Sequence, residues 1–169
     1  MRAGRILHPE LARGLATLGH TDVVLVTDAG FPIPAGANRV DLGLTPGHIG
    51  VRTVLRTLLD EIFVEEVHLA RELKTHHPRL YGEAQEIFTG SGATFHGTTH
   101  EALIGQWAPR AKVVVRSGSF EPWANFALVA STAPFEWFAD DDVTILPAYV
   151  QRHRLITEAV RPDVPEEQG

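Results

Sequence analysis

At 169 residues, with 44% apolar and 21% charged side chains, the chain has the size and balance of one globular domain with a real core. A formal charge of −6 and the lack of any basic run exclude a nucleic-acid footprint, and no apolar run reaches membrane-spanning length. The absence of cysteine removes disulfides, thiolate metal sites and cysteine nucleophiles; with no signal-peptide pattern at the start, a soluble cytoplasmic protein is expected.

In chain order, Leu11, Leu15 and Leu18 recur at helical spacing, so Pro9–Leu18 is expected to be a helix that Gly19 stops. The run Val23–Thr27 is long enough for a buried strand and too short for a helix. Ala29–Gly47 carries three prolines and four glycines, which predicts a long loop with little regular structure, although Val40–Leu44 is an apolar patch within it. Val51, Val54, Leu55, Leu58 and Leu59 predict an amphipathic helix over Ile49–Leu59. A second strand is expected at Phe63–Leu69, a helix at Glu83–Phe88 after Pro78, and a short strand at Ala93–Gly97. Thr99 is placed to cap a helix running to Trp107; Val113–Val115 and Phe126–Ala130 read as further strands. The alternation predicts a single α/β domain with a mixed or parallel central sheet flanked by helices.

The tail changes character after Ser131. Phe135–Phe138 is aromatic, Asp140–Asp142 reads as a solvated acidic turn, and Gln151–Val160 has helical character. Pro162–Gly169 is acidic and proline-bearing, so fraying is expected. The division is therefore a main domain over 1–131 and a C-terminal extension over 132–169. The extension reads equally as a segment packing on a neighbouring subunit and as a mobile end with one docked patch.

Gly19–Pro34 is the most informative stretch. His20 precedes the first strand, and Asp28 follows it with Gly30, Pro32 and Pro34 close behind. This puts Asp28 at the carboxyl edge of the sheet, where open α/β folds bind ligands. The reference pKa of imidazole lies near neutrality, which makes His20 an acid–base candidate. Spacing alone reads His20 equally as a helix-end histidine favoured by the dipole, and it favours Asp28 as a plain turn former. His76-His77 is not a metal pair, because adjacent residues do not share a helix face; a solvated loop is expected there.

The ordered series Leu18-Gly19-His20-Thr21-Asp22, Asp28-Ala29-Gly30-Phe31-Pro32-Ile33-Pro34, Arg39–Gly47, Lys74–Pro78, Thr98–Glu101 and Val115–Gly118 with Ala124-Asn125 resembles the ribose pyranase and fucose mutarotase family, in its pyranase branch. The resemblance covers about the first 130 residues and implies Rossmann-like layering. It also implies a monosaccharide site with no cofactor and no metal, in which His20 donates a proton. Asp28, His100, Trp123 and Asn125 would bind the sugar. The family forms rings of five subunits, often two rings stacked, with the site where subunits meet. A homo-oligomer, pentamer or decamer, is the implied state. Two departures stand out: Trp123 replaces the usual tyrosine, and Ser119 replaces a glutamate, with Glu121 two residues on. Trp123 also reads as core, Asn125 as a partner for buried backbone, and His100 as a surface residue at a helix start.

The expected chemistry is the opening and reclosure of a cyclic hemiacetal. The anomeric hydroxyl loses a proton while the ring oxygen gains one, and closure on another hydroxyl changes the ring size. The implied reaction is β-D-ribopyranose to β-D-ribofuranose, a form that would feed a sugar kinase. Mutarotation of L-fucose or another sugar is the second expectation. A non-catalytic sugar-binding or assembly protein on the same scaffold is the third.

Overall fold

The structure, a computed structural model, describes residues 6–166. Six strands form one mixed sheet: β1 (Val23–Thr27), β2 (Arg39–Asp41), β3 (Phe63–Ala70), β4 (Thr94–Thr98), β5 (Ala111–Arg116) and β6 (Phe126–Ser131). Their spatial order is β2-β5-β1-β6-β3-β4. Only β6 runs against its neighbours, β1 and β3; the β1–β5, β2–β5 and β3–β4 pairs are parallel. The carboxyl ends of the five co-directional strands therefore share one edge with the start of β6. The opposite edge collects the segment before β1, the start of β3 and the end of β6.

The helices are α1 (Pro9–Leu15), α2 (Val51–Leu59), α3 (Arg71–His76), α4 (Pro78–Phe88), α5 (His100–Ala102), α6 (Ala108–Arg110) and α7 (Pro147–Thr157), with a π-helical segment over Leu103–Trp107 joining α5 to α6. Side chains alternate along β1. Val24 and Val26 pack with Val54, Leu55, Leu58 and Leu80 on one face; Val23 and Leu25 pack with Phe31, Leu103 and Ala108 on the other. Val24, Leu25 and Val26 are wholly buried. Each contributes roughly 1.5–3 kcal/mol of burial, which makes β1 the rigid axis of the molecule.

The expected α/β class and the main strands hold, and the differences are local. α1 ends at Leu15 rather than Leu18, because the amides of Thr17 and Leu18 reach back only three residues, to the carbonyls of Gly14 and Leu15. The long loop contains β2, a three-residue edge strand whose central Val40 is buried between exposed Arg39 and Asp41. α2 starts at Val51, since Gly50 is its extended N-cap and Ile49 is exposed.

α3 was not anticipated, and α4 begins at Pro78 rather than Glu83. Pro78 occupies the first turn, where no amide is needed, and the Nδ1 of His77 accepts from the Leu80 amide at 3.4 Å. The His76-His77 pair, expected as a solvated loop near a helix end, does lie at one: exposed His76 ends α3 and His77 caps α4, with no loop between them. Thr99 does cap α5, accepting from the Ala102 amide at 3.0 Å.

α7 starts at Pro147 and ends at Thr157, against the expected Gln151–Val160. Asp140–Asp142 is exposed in a bend and turn, as expected. The stretch from Pro162 onward is not frayed where it is described. Val164 is buried, and Asp163 accepts from Tyr81 and from Lys74 Nζ at 3.1 Å. Residues 167–169 of that expected frayed end lie outside the described residues.

Candidate functional site

At the carboxyl edge, Asp28 follows β1 directly and Asn125 precedes β6, its antiparallel neighbour, so topology alone sets them side by side. Asn125 is fully buried and holds Asp28 twice. Its Nδ2 donates to Asp28 Oδ2 at 2.8 Å, and its Oδ1 accepts from the Asp28 amide at 3.0 Å. The Gly30 amide donates to Asp28 Oδ1 at 2.8 Å, closing an Asx turn. The carboxylate is locked in one orientation at the rim of a cavity of about 450 Å³ lined by Asp28, Ala29, Gly30, Phe120, Glu121 and Pro122. That volume suits a small polyol.

The neighbouring loop after β5 is tightly tied in. Ser117 donates from its hydroxyl to the Thr27 carbonyl at 2.8 Å, and the Ala29 amide donates to the Ser119 carbonyl at 2.8 Å. Gly118 lies against the backbone of His48; a Cβ there would sit 2.4 Å from the His48 oxygen, so no side chain fits. Ser119 Oγ donates to Glu121 Oε2 at 3.0 Å, while Arg52 donates to both Glu121 oxygens. The Arg52 guanidinium is the main reason that the Glu121 carboxyl is lowered to about 2.

Trp123 adopts a left-handed backbone with φ of 58°, a conformation that bulky side chains avoid. Its indole packs against both halves of the core and lies 5.3 Å from the His76 ring. His100 begins α5 beside Phe31, edge-on at 5.9 Å, and its Nδ1 is buried without a hydrogen-bond partner among the described residues. Such an atom is costly until a partner arrives. Lys74 and Arg116, which the sequence leaves between sugar contacts and ion pairs, both pair with carboxylates: Lys74 with Asp163 and Arg116 with Asp41.

His20 is not at this edge. It stands before β1, and the five-residue strand alone separates the two ends by roughly 17 Å at about 3.3 Å per residue. Thr21, directly after it, is a β-branched residue at φ of 69°, held by the hydrogen bond its amide donates to the Ala130 carbonyl at 2.8 Å. The His20 side chain is 38% exposed, and its Nε2 meets Glu65 Oε2 at 3.1 Å. Glu65 sits at a register shift in the β3–β6 ladder, between Val64 and Glu66; such a bulge re-aims a side chain. His20 and Glu65 line a cavity of about 380 Å³ whose other wall is Tyr149, Arg152 and Leu155 of α7. Trp137 approaches the His20 ring edge-on at 6.1 Å.

The structure therefore joins Asp28 to Asn125, places His100 and Trp123 nearby on the same edge, and leaves His20 at the opposite edge. Glu65, Arg152, Tyr149 and Trp137 were missed from sequence. Glu65 reads as ordinary alternation in a strand, and no local pattern signals a bulge or a distant helix. Among the described residues, no group of three or more His, Asp or Glu side chains is arranged to hold a metal ion, and no helix is long and apolar enough to cross a membrane.

A model of the RbsD / FucU transport protein family matches residues 1–133. D-ribose pyranase 1 of Streptomyces griseus is 43% identical over 152 residues, spanning 90% of this chain and 99% of that protein. The D-ribose pyranase of Aeromonas hydrophila is 38% identical over 139 residues, spanning 79% of this chain and 99% of its own length. Among solved structures, Bacillus subtilis RbsD complexed with D-ribose superposes with a TM-score of 0.74 at 34% identity, covering 79% of this chain and 99% of that one. The fucose mutarotase of Streptococcus pneumoniae, in complex with L-fucose, shares the fold with a TM-score of 0.63 at 18% identity, over 74% of this chain and 93% of that one.

Proposed function

The chain belongs to the RbsD / FucU transport protein family, and from that premise we propose that it is an isomerase interconverting β-D-ribopyranose and β-D-ribofuranose by ring opening and reclosure. The observation that carries this reading is the likeness, over nearly the whole of that chain, to RbsD in complex with D-ribose. The pyranase relatives support it at 43% and 38% identity.

The residues divide the work. Asp28, fixed by Asn125 and Gly30, accepts hydrogen bonds from sugar hydroxyls and sets the position of the ring. His100 offers its unpartnered Nδ1 to another hydroxyl. Glu121, tied to Ser119, returns a carboxylate to the rim beside Asp28, where the family's usual glutamate is replaced. His20, protonated, gives its proton to the ring oxygen as the C1–O bond breaks, and the anomeric hydroxyl becomes the aldehyde by losing its own proton to solvent water. On reclosure the now neutral imidazole takes the proton of the hydroxyl that adds to C1, and the aldehyde oxygen regains a proton from solvent water to become the new anomeric hydroxyl. No hydride moves and no carbanion forms, so proton transfer and positioning suffice, worth about 10²–10⁴-fold for a placed acid.

One chain cannot bring His20 to Asp28, so the working site forms between copies of the chain. Both edges support this by exposing large apolar side chains. Leu44 and Phe120 are 85% and 71% exposed at the Asp28 edge; Phe63 is 51% exposed at the His20 edge. Joining one edge to the other is a head-to-tail contact, which closes into a ring where its rotation permits. A ring of five, single or stacked, is the assembly that the family resemblance implies, and a cytoplasmic location fits a reaction on free sugar.

Exchange NMR on D-ribose and L-fucose tests the reading. Pyranose–furanose exchange of ribose is expected to accelerate with wild type and not with His20→Ala. Faster anomer exchange of fucose without ring-size exchange would point to a mutarotase instead. Sugar line broadening with no gain in exchange would point to a binding protein.

A further inference from the structure

The C-terminal extension is seated on the histidine that the ring-isomerase reading makes the proton donor. Arg152 of α7 is a buried cation at 5% exposure. Its guanidinium donates to Ser131 Oγ, to the Thr132 carbonyl at 3.1 Å and to the Val64 carbonyl at 3.3 Å. Ser131 in turn donates from its hydroxyl to Glu65 Oε2 at 2.7 Å, the same oxygen that meets His20 Nε2. A continuous chain of polar contacts thus runs Arg152–Ser131–Glu65–His20. A buried arginine needs a counter-charge nearby, and Glu65 is the carboxylate whose field opposes the effect of burial on Arg152.

The seat is specific rather than incidental. α7 comes so close to Gly92 that a Cβ there would lie 2.7 Å from Ile156 and 3.0 Å from the Arg152 side chain. Tyr149 is buried, with its hydroxyl 3.1 Å from Thr132 Oγ1. The chain is anchored again beyond α7, where Val164 packs against Gly97 and the Lys74 ammonium donates to the Val164 carbonyl at 2.9 Å.

We propose that the extension is a working part of the His20 half-site: Arg152 is a positioning residue that braces Glu65 through Ser131, and Glu65 fixes the orientation and tautomer of His20. Glu65 accepts from Nε2–H and leaves Nδ1 as the nitrogen that exchanges a proton with sugar. Among the described residues that Nδ1 has no hydrogen-bond partner. A carboxylate on one imidazole nitrogen selects which nitrogen carries the proton when the ring is neutral. This inference rests on the ring-isomerase reading for its catalytic consequence, but its structural half stands apart.

The test uses the full-length protein with ¹⁵N-labelled histidine, with and without D-ribose. Wild-type His20, when neutral, is expected as the Nε2–H tautomer. In Arg152→Met and in Glu65→Gln the tautomer population is expected to shift toward Nδ1–H. The rate constant kcat for ring exchange is expected to fall about tenfold or more, with KM changing far less. Arg152→Lys keeps the charge without the planar fork and is expected to recover part of the loss. If Arg152→Met does not fold, Ser131→Ala removes only the bridging hydroxyl and is read the same way. A folded Arg152→Met or Ser131→Ala protein with the wild-type tautomer and kcat overturns the proposal. Should wild type not speed ribose exchange at all, the isomerase reading fails, and the tautomer comparison still decides whether the brace exists.

Discussion

The two edges of the sheet hold their candidate functional side chains in different ways. At the carboxyl edge, Asp28 takes hydrogen bonds from a fully buried asparagine and a turn amide, and that asparagine is rooted between β1 and β6. At the opposite edge, His20 is 38% exposed and its side chain has a hydrogen bond to Glu65, itself steadied from the tail, and ring contacts to Trp137 and Tyr149. The group proposed to grip sugar is fixed by the core, at the cost of little freedom. The group proposed to move a proton depends on peripheral parts and on whatever copy of the chain lies against it. The shared site proposed above would join these two differently held groups.

Breaking that division at its sharpest point gives the largest expected effect. His20→Ala and Asp28→Ala are each expected to lower ribose ring exchange by about 10²–10⁴-fold. His20→Ala is expected to leave the melting temperature nearly unchanged, since the side chain is exposed. If each site takes His20 from one copy and Asp28 from the next, unfolding and refolding the two variants together restores activity. Random mixing in a head-to-tail ring leaves about a quarter of the sites with both native groups. A mixture as inactive as its parts would show that the two edges do not meet.

The next effect concerns acid stability at the carboxyl edge. Glu121 is held mainly by Arg52 and lowered to about 2 from its ordinary 4.5. A carboxyl that binds its proton less tightly when folded stabilises the fold above its ordinary value, and that stabilisation disappears as pH falls from about 4.5 toward 2. The contribution is up to about 3 kcal/mol, reduced by the partial solvent contact of both partners. Urea unfolding at pH 7 and at pH 3 should show Glu121→Gln clearly weaker at pH 7 and much closer to wild type at pH 3. An equal deficit at both values would assign the loss to packing instead of charge.

Asn125→Ala is expected to cost about 1–3 kcal/mol, because it orphans the Asp28 amide and frees the Asp28 carboxylate. The KM for ribose should rise with it. The same substitution logic has no counterpart at the His20 edge, where nothing wholly buried supports the imidazole except through Glu65.

Much of this contrast was legible in the sequence, and the limits have physical causes. β1, β6 and α2 are apolar runs or stripes that report burial directly, and Asp28 after β1 followed from a strand meeting a glycine turn. β2 escaped notice because three residues on a sheet edge, with one buried side chain, carry no periodicity. α3 and the start of α4 were hidden because the cap between them is a histidine, an uncommon capping residue. The Glu65–Ser131–Arg152 brace joins residues 66 and 21 positions apart, and a bulge in β3 aims one of them. Long-range polar contacts of this kind leave no local trace. His20 became a candidate by its place before a strand; that the other candidates lie at the opposite edge needed the topology.

The smallest expected effect sits at Trp123, where the chain departs from the family's tyrosine. Indole donates one hydrogen bond and accepts none, whereas a phenol does both. The indole here packs on both halves of the core and over His76, at a left-handed backbone position already fixed by the turn into Asn125. The backbone strain is shared by either aromatic residue, so Trp123→Tyr changes volume and hydroxyl, not turn geometry. A smaller ring leaves some core contact unfilled, and stability should drop by about 1 kcal/mol. If the hydroxyl reaches sugar, KM for ribose falls by about threefold, a difference below 1 kcal/mol. If KM is unchanged while stability drops, Trp123 is a core residue beside the site, and the gripping edge consists of Asp28, Asn125 and their neighbours without it.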